Sequence, residues 1–307
     1  MKKIAILGAS GYIGSYLSQK LKYKFKIITH SRKKIFNRAF NYKIYKTING
    51  DIKKLRTLKN IIKLKPDIIV YTISLNHIAS EKNLNNSLKN NYTPLVNLIS
   101  EIKKKKLKTK IIYLSTVQVY GREFNRKKIS ENFEKRIENI YSLTHSMCED
   151  LLYFNNKIIK FHCLRISNTF GMPILPKIDC WWLVLNNFCK DAINKNKIII
   201  NSDGSALRDF ISLDLVYETI VRLVGKDRNI PFINVCSGNT ISIREIAHKI
   251  SKNNYFKNKI KIEIKKKKFI PKKKFKYDTS ILKKLSVNTN ENINERITTF
   301  LKCLNKT

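Results

Sequence analysis

Gly8-Ala9-Ser10-Gly11-Tyr12-Ile13-Gly14 sets its glycines at G-x-x-G-x-x-G spacing, directly after the apolar run Lys3–Leu7 and directly before a stretch of helical periodicity. Chemistry on a diphosphate needs this arrangement. The first glycine permits a tight turn, the second lets backbone N–H groups approach the phosphates, and the third lets the helix pack close to the strand. The helix N-terminus then turns its positive dipole end toward the anion. An ordinary glycine-rich turn is the competing reading, and the strand–turn–helix context favours the dinucleotide. Gly8, Ser10, Gly11, Tyr12, Ile13 and Gly14 are therefore the candidate cofactor contacts of the loop.

The end of the second strand bears on which dinucleotide. An NAD-type site places a carboxylate there for the ribose 2′-hydroxyl. This chain instead reads Thr29-His30-Ser31-Arg32-Lys33-Lys34. Arg32 can meet a 2′-phosphate, which favours NADP(H) over NAD(H), although basic residues are common throughout. Asp51, in Gly50-Asp51-Ile52, is placed either to accept from the adenine amino group with Ile52 beside it, or to cap the following helix.

The elements that must position these groups alternate along the first third. Lys3–Leu7, Phe25–Thr29, Asp67–Ile73 and Ile111–Ser115 read as strands, with a weak strand at Lys43–Tyr45. Tyr12–Leu21, Ile52–Lys63 and Thr93–Lys104 have helical spacing. Apolar strands separated by helices mean crossover units and a parallel sheet covered on both faces, a doubly wound α/β fold. Beyond residue 170 the rhythm changes. Gly171-Met172-Pro173 marks a loop, and Trp181-Trp182 follows in an apolar helix-like stretch. Ile198–Ile200, Phe232–Val235 and Ile260–Ile264 read as strands, Ile243–Ile250 and Asn292–Leu304 as helices. The expected division is a dinucleotide-binding domain over 1–170, with a returning segment near 205–237, and a substrate lobe mainly from 171–307.

Charge is the compositional anomaly: Lys+Arg total 62 against 22 Asp+Glu, a net of +40 in 307 residues. Nucleic-acid binding is the first reading of such a balance. Lysine is spread along the whole chain, however, and the runs Lys103–Lys106, Lys265–Lys268 and Lys272–Lys274 carry no interleaved aromatic ladder. They read as solvated faces. The six cysteines form no Cys-x-x-Cys pair and meet no histidine at zinc-ligand spacing, so no metal is expected and reduced thiols are. Met1-Lys2-Lys3 with Ile4–Leu7 is too short an apolar stretch for a signal peptide, and no run reaches the ~18 apolar residues of a membrane span. A cytoplasmic protein without membrane insertion is expected.

Several pieces in one order carry a resemblance: the glycine loop, Gly50-Asp51, Leu114-Ser115-Thr116-Val117-Gln118-Val119-Tyr120-Gly121, Tyr141-Ser142-Leu143-Thr144-His145, Leu164-Arg165-Ile166-Ser167-Asn168-Thr169-Phe170-Gly171, Asp203-Gly204-Ser205-Ala206-Leu207-Arg208-Asp209-Phe210 and Asn234-Val235-Cys236-Ser237-Gly238. The chain resembles the extended short-chain dehydrogenase/reductase family, the nucleotide-sugar epimerases, dehydratases and reductases. The resemblance implies that Thr116 bonds the reacting sugar oxygen and that Tyr141 exchanges a proton with it. It implies that Asn168 faces the nucleotide sugar and that Arg208 clamps its diphosphate, a task suited to a forked guanidinium. It also implies a homodimer, through Thr93–Lys104 and the helix from Tyr141.

Two departures from the family pattern shape the expected reaction. His145 stands where the family carries lysine, one helical turn from Tyr141. Histidine, with an ordinary pKa of ~6.5, is largely neutral at pH 7 and supplies no permanent cation to a tyrosine of ordinary pKa ~10. Oxidising an alcohol needs the phenolate and reducing a ketone needs the phenol, so losing the cation hurts oxidation more. His145 is left to position Tyr141 and the cofactor ribose. Val117-Gln118 stands where the family's 4,6-dehydratases carry an acidic pair, and neither side chain can transfer the protons of dehydration. The expected function is NAD(P)H-dependent reduction of a keto group, at C4, of a nucleotide-diphosphate sugar for surface polysaccharide. A 4-epimerase with bound cofactor and a non-catalytic cofactor-binding relative remain alternatives.

Overall fold

The computed structural model describes residues 1–35, 37–121, 127–266, 268 and 270–305; Lys267, in the basic run Lys265–Lys268, lies outside them. One sheet dominates. Its strands, labelled within this sheet, are β1 (Lys3–Leu7), β2 (Lys26–Ser31), β3 (Lys46–Asn49), β4 (Ile68–Tyr71), β5 (Lys110–Thr116), β6 (Phe161–Ile166) and β7 (Phe232–Val235). They lie in the order β7-β6-β5-β4-β1-β2-β3, every pairing parallel. The chain starts in the middle, winds outward to β3, then crosses back to β4. The order reverses between β1 and β4, which opens a crevice at the carboxyl ends of those strands.

Alternation along the strands fills both faces. Ile4 and Ile6 join Val70 and Ile112 in one apolar layer, under the helices α1 (Tyr12–Leu21) and Leu213–Val224. Ala5 and Leu7 join Ile69, Tyr71 and Tyr113 in the other, under α2 (Leu55–Lys63), α3 (Thr93–Lys104) and α4 (Ile140–Phe154). This is the doubly wound architecture read from the strand pattern. A third apolar cluster gathers C-terminal elements: the helices Val184–Lys195, Ile243–Ser251 and Ile293–Leu304 close over the paired strands Lys197–Ile200 and Lys261–Ile264. Leu207–Ser212 runs parallel to Asn168–Phe170 and antiparallel to Thr240–Ser242.

Some elements differ from the sequence reading for local reasons. The third strand is Lys46–Asn49, not Lys43–Tyr45, because Lys43 takes a left-handed conformation (φ 60°) and turns the chain into the strand. Helix α2 starts at Leu55, not Ile52, because the Asp51 carboxylate takes the Lys53 N–H (3.0 Å) in a turn of its own. Trp181-Trp182 is not helical. Asp179 accepts the Trp181 N–H through its carboxylate and the Trp182 indole N–H through its carbonyl, a local turn that delays the helix to Val184.

Candidate active site

The glycine loop leaves β1 at the crevice. Gly8 has φ +93°, and a Cβ there would meet Thr72 Oγ1 at 2.6 Å. Thr72 is fixed in turn, donating to Leu7 O at 2.7 Å. A Cβ on Gly14 would also collide with the Gly8 carbonyl. Both positions exclude any side chain, so the backbone itself forms the wall. Gly8 and Ala9 donate to His30 O, closing the loop onto β2. The Gly11 side of the loop opens α1, whose first-turn N–H groups have no side-chain cap.

A cavity of about 180 Å³ follows, lined by Gly8, Ser10, Gly11, His30, Arg32, Asp51, Ile52, Asn90 and the Thr72–Leu75 segment. Among the residues expected to hold the cofactor, these glycines, Ser10, Arg32, Asp51 and Ile52 converge on it. Arg32 is exposed at its rim. The glycine cradle, the free helix start and the adjoining cavity together fit a dinucleotide diphosphate.

The Tyr12 side chain turns away from the loop. Its hydroxyl donates to Gly171 O (2.8 Å) and accepts from Asn186 Nδ2 (3.1 Å), tying α1 to the loop and helix that follow residue 170. Burial holds its pKa far above the ordinary phenol range.

Helix α4 carries the second group. Asn139 caps it, accepting the Ser142 N–H at 2.7 Å, and Glu81 accepts the Tyr141 N–H at 3.1 Å. The Tyr141 phenol lies near enough to the side chain of Thr116, at the end of β5, for that hydroxyl to lower its pKa, so the two residues expected to handle the sugar oxygen come together. Burial outweighs the Thr116 hydroxyl and pushes the Tyr141 pKa up to about 12. The group is a phenol, not a phenolate, at neutral pH.

His145 follows one turn later and is buried. Its Nδ1 meets the Tyr113 hydroxyl at 2.8 Å and its Nε2 meets Ser74 Oγ at 3.2 Å. Burial pulls its pKa down to about 3, so it is neutral, as expected. Ser74 lines the cavity; the imidazole itself reaches the cavity only through that hydroxyl. Ser74, Tyr113 and Asn91 were not singled out in the sequence. Asn91 sits in a π-helical turn (Leu88–Tyr92), where its amide accepts from Leu75 N (2.8 Å) and donates to Thr144 (3.0 Å).

Glu149 continues the ladder of Tyr141 and His145 at four-residue spacing. It is fully buried and receives Arg165 in a two-pronged pair, Nε to Oε1 at 3.0 Å and Nη2 to Oε2 at 2.7 Å. Ser115 donates to the same carboxylate at 2.6 Å, and Arg165 also bonds the Tyr120 hydroxyl at 2.8 Å. The pair thus bolts α4 to β5 and β6 directly behind Tyr141 and Thr116. The spacing was a signal for Glu149 that the sequence reading did not use.

Asn168 and Arg208 lie on the neighbouring strands Asn168–Phe170 and Leu207–Ser212. Asn168 Nδ2 donates to Asp209 O at 3.0 Å, and Arg208 Nη1 donates to Leu207 O at 2.8 Å. Asp209 is committed elsewhere: its buried carboxylate accepts from Ser167, Ser237, Gly238 and Asn239. Asp214 is held by Lys20 and Arg296. Val117 is buried, and the Gln118 side-chain oxygen Oε1 accepts from Asn139 Nδ2 at 3.5 Å. Across from β4, the Trp182 ring rests on His77, centroids 5.2 Å apart.

No group of three or more His, Cys, Asp or Glu among the described residues could hold a metal ion. No helix among them is long and apolar enough to cross a membrane.

Residues 4–236 match the model of the NAD dependent epimerase/dehydratase family. A dTDP-D-glucose 4,6-dehydratase of Dictyostelium discoideum is 28% identical over 278 residues, covering 81% of this chain and 62% of that protein. The chain therefore spans less than two thirds of that relative. A GDP-6-deoxy-D-talose 4-dehydrogenase of Aggregatibacter actinomycetemcomitans is 25% identical over 251 residues, covering 80% of this chain and 77% of that protein. The fold is that of a UDP-glucose 4-epimerase from Thermotoga maritima solved with UDP-glucose, with TM-score 0.84, 18% identity and 99% of each chain covered. A UDP-glucose 4-epimerase from Thermus thermophilus solved with NAD gives TM-score 0.84 at 14% identity, again over 99% of each chain.

Proposed function

The chain belongs to the NAD dependent epimerase/dehydratase family, and from that premise we propose that it reduces a keto group, at C4, of a nucleotide-diphosphate sugar, using NADPH in preference to NADH. The nicotinamide dinucleotide supplies the hydride when bound. Everything else falls to the side chains. The glycine loop and the α1 N-terminus hold the diphosphate, and Arg32 at the cavity rim takes the 2′-phosphate. Thr116 hydrogen-bonds the carbonyl oxygen, and Tyr141 donates a proton to that oxygen as it becomes a hydroxyl. Asn168 and Arg208 hold the sugar nucleotide on the C-terminal side.

One observation carries the direction of the reaction. The Tyr141 phenol is half-buried, its pKa pushed up to about 12 by desolvation, beside an imidazole that is neutral rather than a cation. A proton donor suits that setting and a base does not. The relative whose name describes a 4-dehydrogenase of a GDP-sugar supports redox chemistry at C4. Elimination of water is disfavoured, because Val117 and Gln118 cannot exchange the protons it requires.

We further propose a homodimer through α3 and α4 and action in the reducing cytoplasm, in keeping with cysteines that are all unpaired. Supply of sugars to surface polysaccharide is the role that fits such a product.

The test is to identify the copurifying nicotinamide nucleotide and then offer 4-keto nucleotide sugars with NADPH or NADH, reading cofactor oxidation and product by NMR. Stoichiometric reduction, lowered by roughly 10²–10⁴-fold in Tyr141→Phe, is expected. Interconversion of epimers with no net cofactor consumption makes the chain an epimerase instead.

A further inference from the structure

Ser74, His145 and Tyr113 form a hydrogen-bonded row from the cavity wall into the core, and its polarity can be read. A neutral imidazole carries one N–H and one bare nitrogen, and which is which follows from its neighbours. Ser74 Oγ donates its one hydrogen to Leu75 O at 2.8 Å. Toward His145 Nε2, at 3.2 Å, it is therefore an acceptor. At the other end, the Cys148 sulfur lies near enough to the Tyr113 hydroxyl to compete as a weak acceptor for its hydrogen, while the thiol's own hydrogen goes to Asn91 O at 3.5 Å. The strong acceptor within reach of the Tyr113 hydroxyl is His145 Nδ1 at 2.8 Å. Every group is satisfied with Nε2 protonated and Nδ1 bare. The opposite tautomer would send the phenol hydrogen to a sulfur and take the Ser74 hydrogen away from Leu75 O.

We propose that Tyr113 is a positioning residue that locks His145 in the Nε2–H form, and thereby sets Ser74 as a hydrogen-bond acceptor on the cofactor cavity wall. Ser74 then accepts from His145, donates to Leu75 O and keeps one lone pair. That lone pair suits a ligand O–H, such as a ribose hydroxyl of the dinucleotide. With lysine at position 145 no such question arises, because an ammonium has only donors. The histidine brings a choice of tautomer, and the sheet residue below it makes the choice. The assignment of the ligand rests on the dinucleotide reading proposed above; the tautomer does not.

The experiment separates the two. ¹⁵N NMR of histidine-labelled protein, with His145 assigned by loss of its signals in His145→Gln, reports which ring nitrogen is protonated. NADPH binding is followed by its fluorescence, without any sugar substrate. The Nε2–H form is expected in the unaltered protein. In Tyr113→Phe, a change that keeps the ring, the pure Nε2–H pattern should be lost and the NADPH Kd should rise roughly five-fold, the worth of one ordinary hydrogen bond. Ser74→Ala should weaken NADPH comparably while leaving the Nε2–H form of His145 in place. An Nδ1–H signal in the unaltered protein overturns the inference whether or not Tyr113→Phe folds. So does a Tyr113→Phe protein that keeps the Nε2–H pattern or binds NADPH undiminished. If NADPH does not bind at all, the dinucleotide reading and the role of Ser74 fall, while the tautomer result still decides the part played by Tyr113.

Discussion

The Tyr141 and His145 rings meet edge to face on α4, with centroids 4.5 Å apart. The contact is between two neutral rings, because burial keeps both the phenol and the imidazole uncharged at neutral pH. An ammonium in the same place would pull the phenol toward phenolate. The difference is electrostatic, and it can be measured.

Reduction uses the protonated phenol, so its rate falls only as pH rises through the phenol pKa. With that pKa pushed up to about 12, kcat/KM for reduction should stay level across the alkaline range in which the protein remains folded. His145→Lys puts a cation beside the phenol and moves the falling limb to lower pH, while oxidation of the alcohol product gains. Rate profiles measured in both directions check this; identical profiles for the two proteins would remove the electrostatic account.

His145 and His162 are buried with pKa values pulled down to about 3 and about 4 by burial. Unfolded histidines titrate near ~6.5 and take up protons that the native ones refuse. The stability they confer is complete above pH ~6.5 and is lost as pH falls toward their native values. Asp209, raised by burial to about 6, works the other way, since the native carboxyl binds its proton first. The urea midpoint should fall from pH 7 to 4.5, and less steeply in His145→Gln. An equal slope in the variant would contradict the assignment.

Glu149 and Arg165 are both buried and paired through two hydrogen bonds. Glu149→Gln leaves the guanidinium without its counter-charge and should cost about 3–5 kcal/mol in denaturant unfolding. Replacing both by apolar side chains, Glu149→Leu with Arg165→Met, should cost less than the single change. Because the pair ties α4 to β6, and Ser115 on β5 bonds the same carboxylate, activity should drop in variants that remain folded.

Arg32 is exposed at the cavity rim, so the contribution proposed for it to a 2′-phosphate is an electrostatic one that salt screens. Arg32→Ala should weaken NADPH roughly ten-fold at low ionic strength and leave NADH nearly unchanged. Equal losses for both cofactors would end the NADP preference.

Most of the sheet was legible because β1, β4 and β5 are apolar runs and the glycine loop is conformationally obligatory, Gly8 and Gly14 having no room for a side chain; β3 and β6 mix polar with apolar residues, so the first was misplaced and the second went unread. Tyr141 and Thr116 were legible only through the family pattern, because nothing in their spacing, 25 residues apart by number, announces that the phenol comes beside the hydroxyl. Ser74, Tyr113 and Asn91 were not legible. Each is a common residue whose importance comes from crossing between β4, β5 and the π-helical turn, a long-range juxtaposition that periodicity does not encode. Trp182 was half legible: its apolar neighbours suggested helix, and the hydrogen bonds of Asp179 gave a turn that brings its ring to His77.

Tyr12 has one further consequence. Its hydroxyl moors the first turn of the glycine-loop helix to Gly171 and Asn186, so the diphosphate end of the crevice and the C-terminal helices share a seam. A second tie runs from the same helix, where the Tyr16 hydroxyl and Arg296 of the last helix share Asp214, so two phenols on one helix, Tyr12 and Tyr16, join the glycine loop to the C-terminal elements.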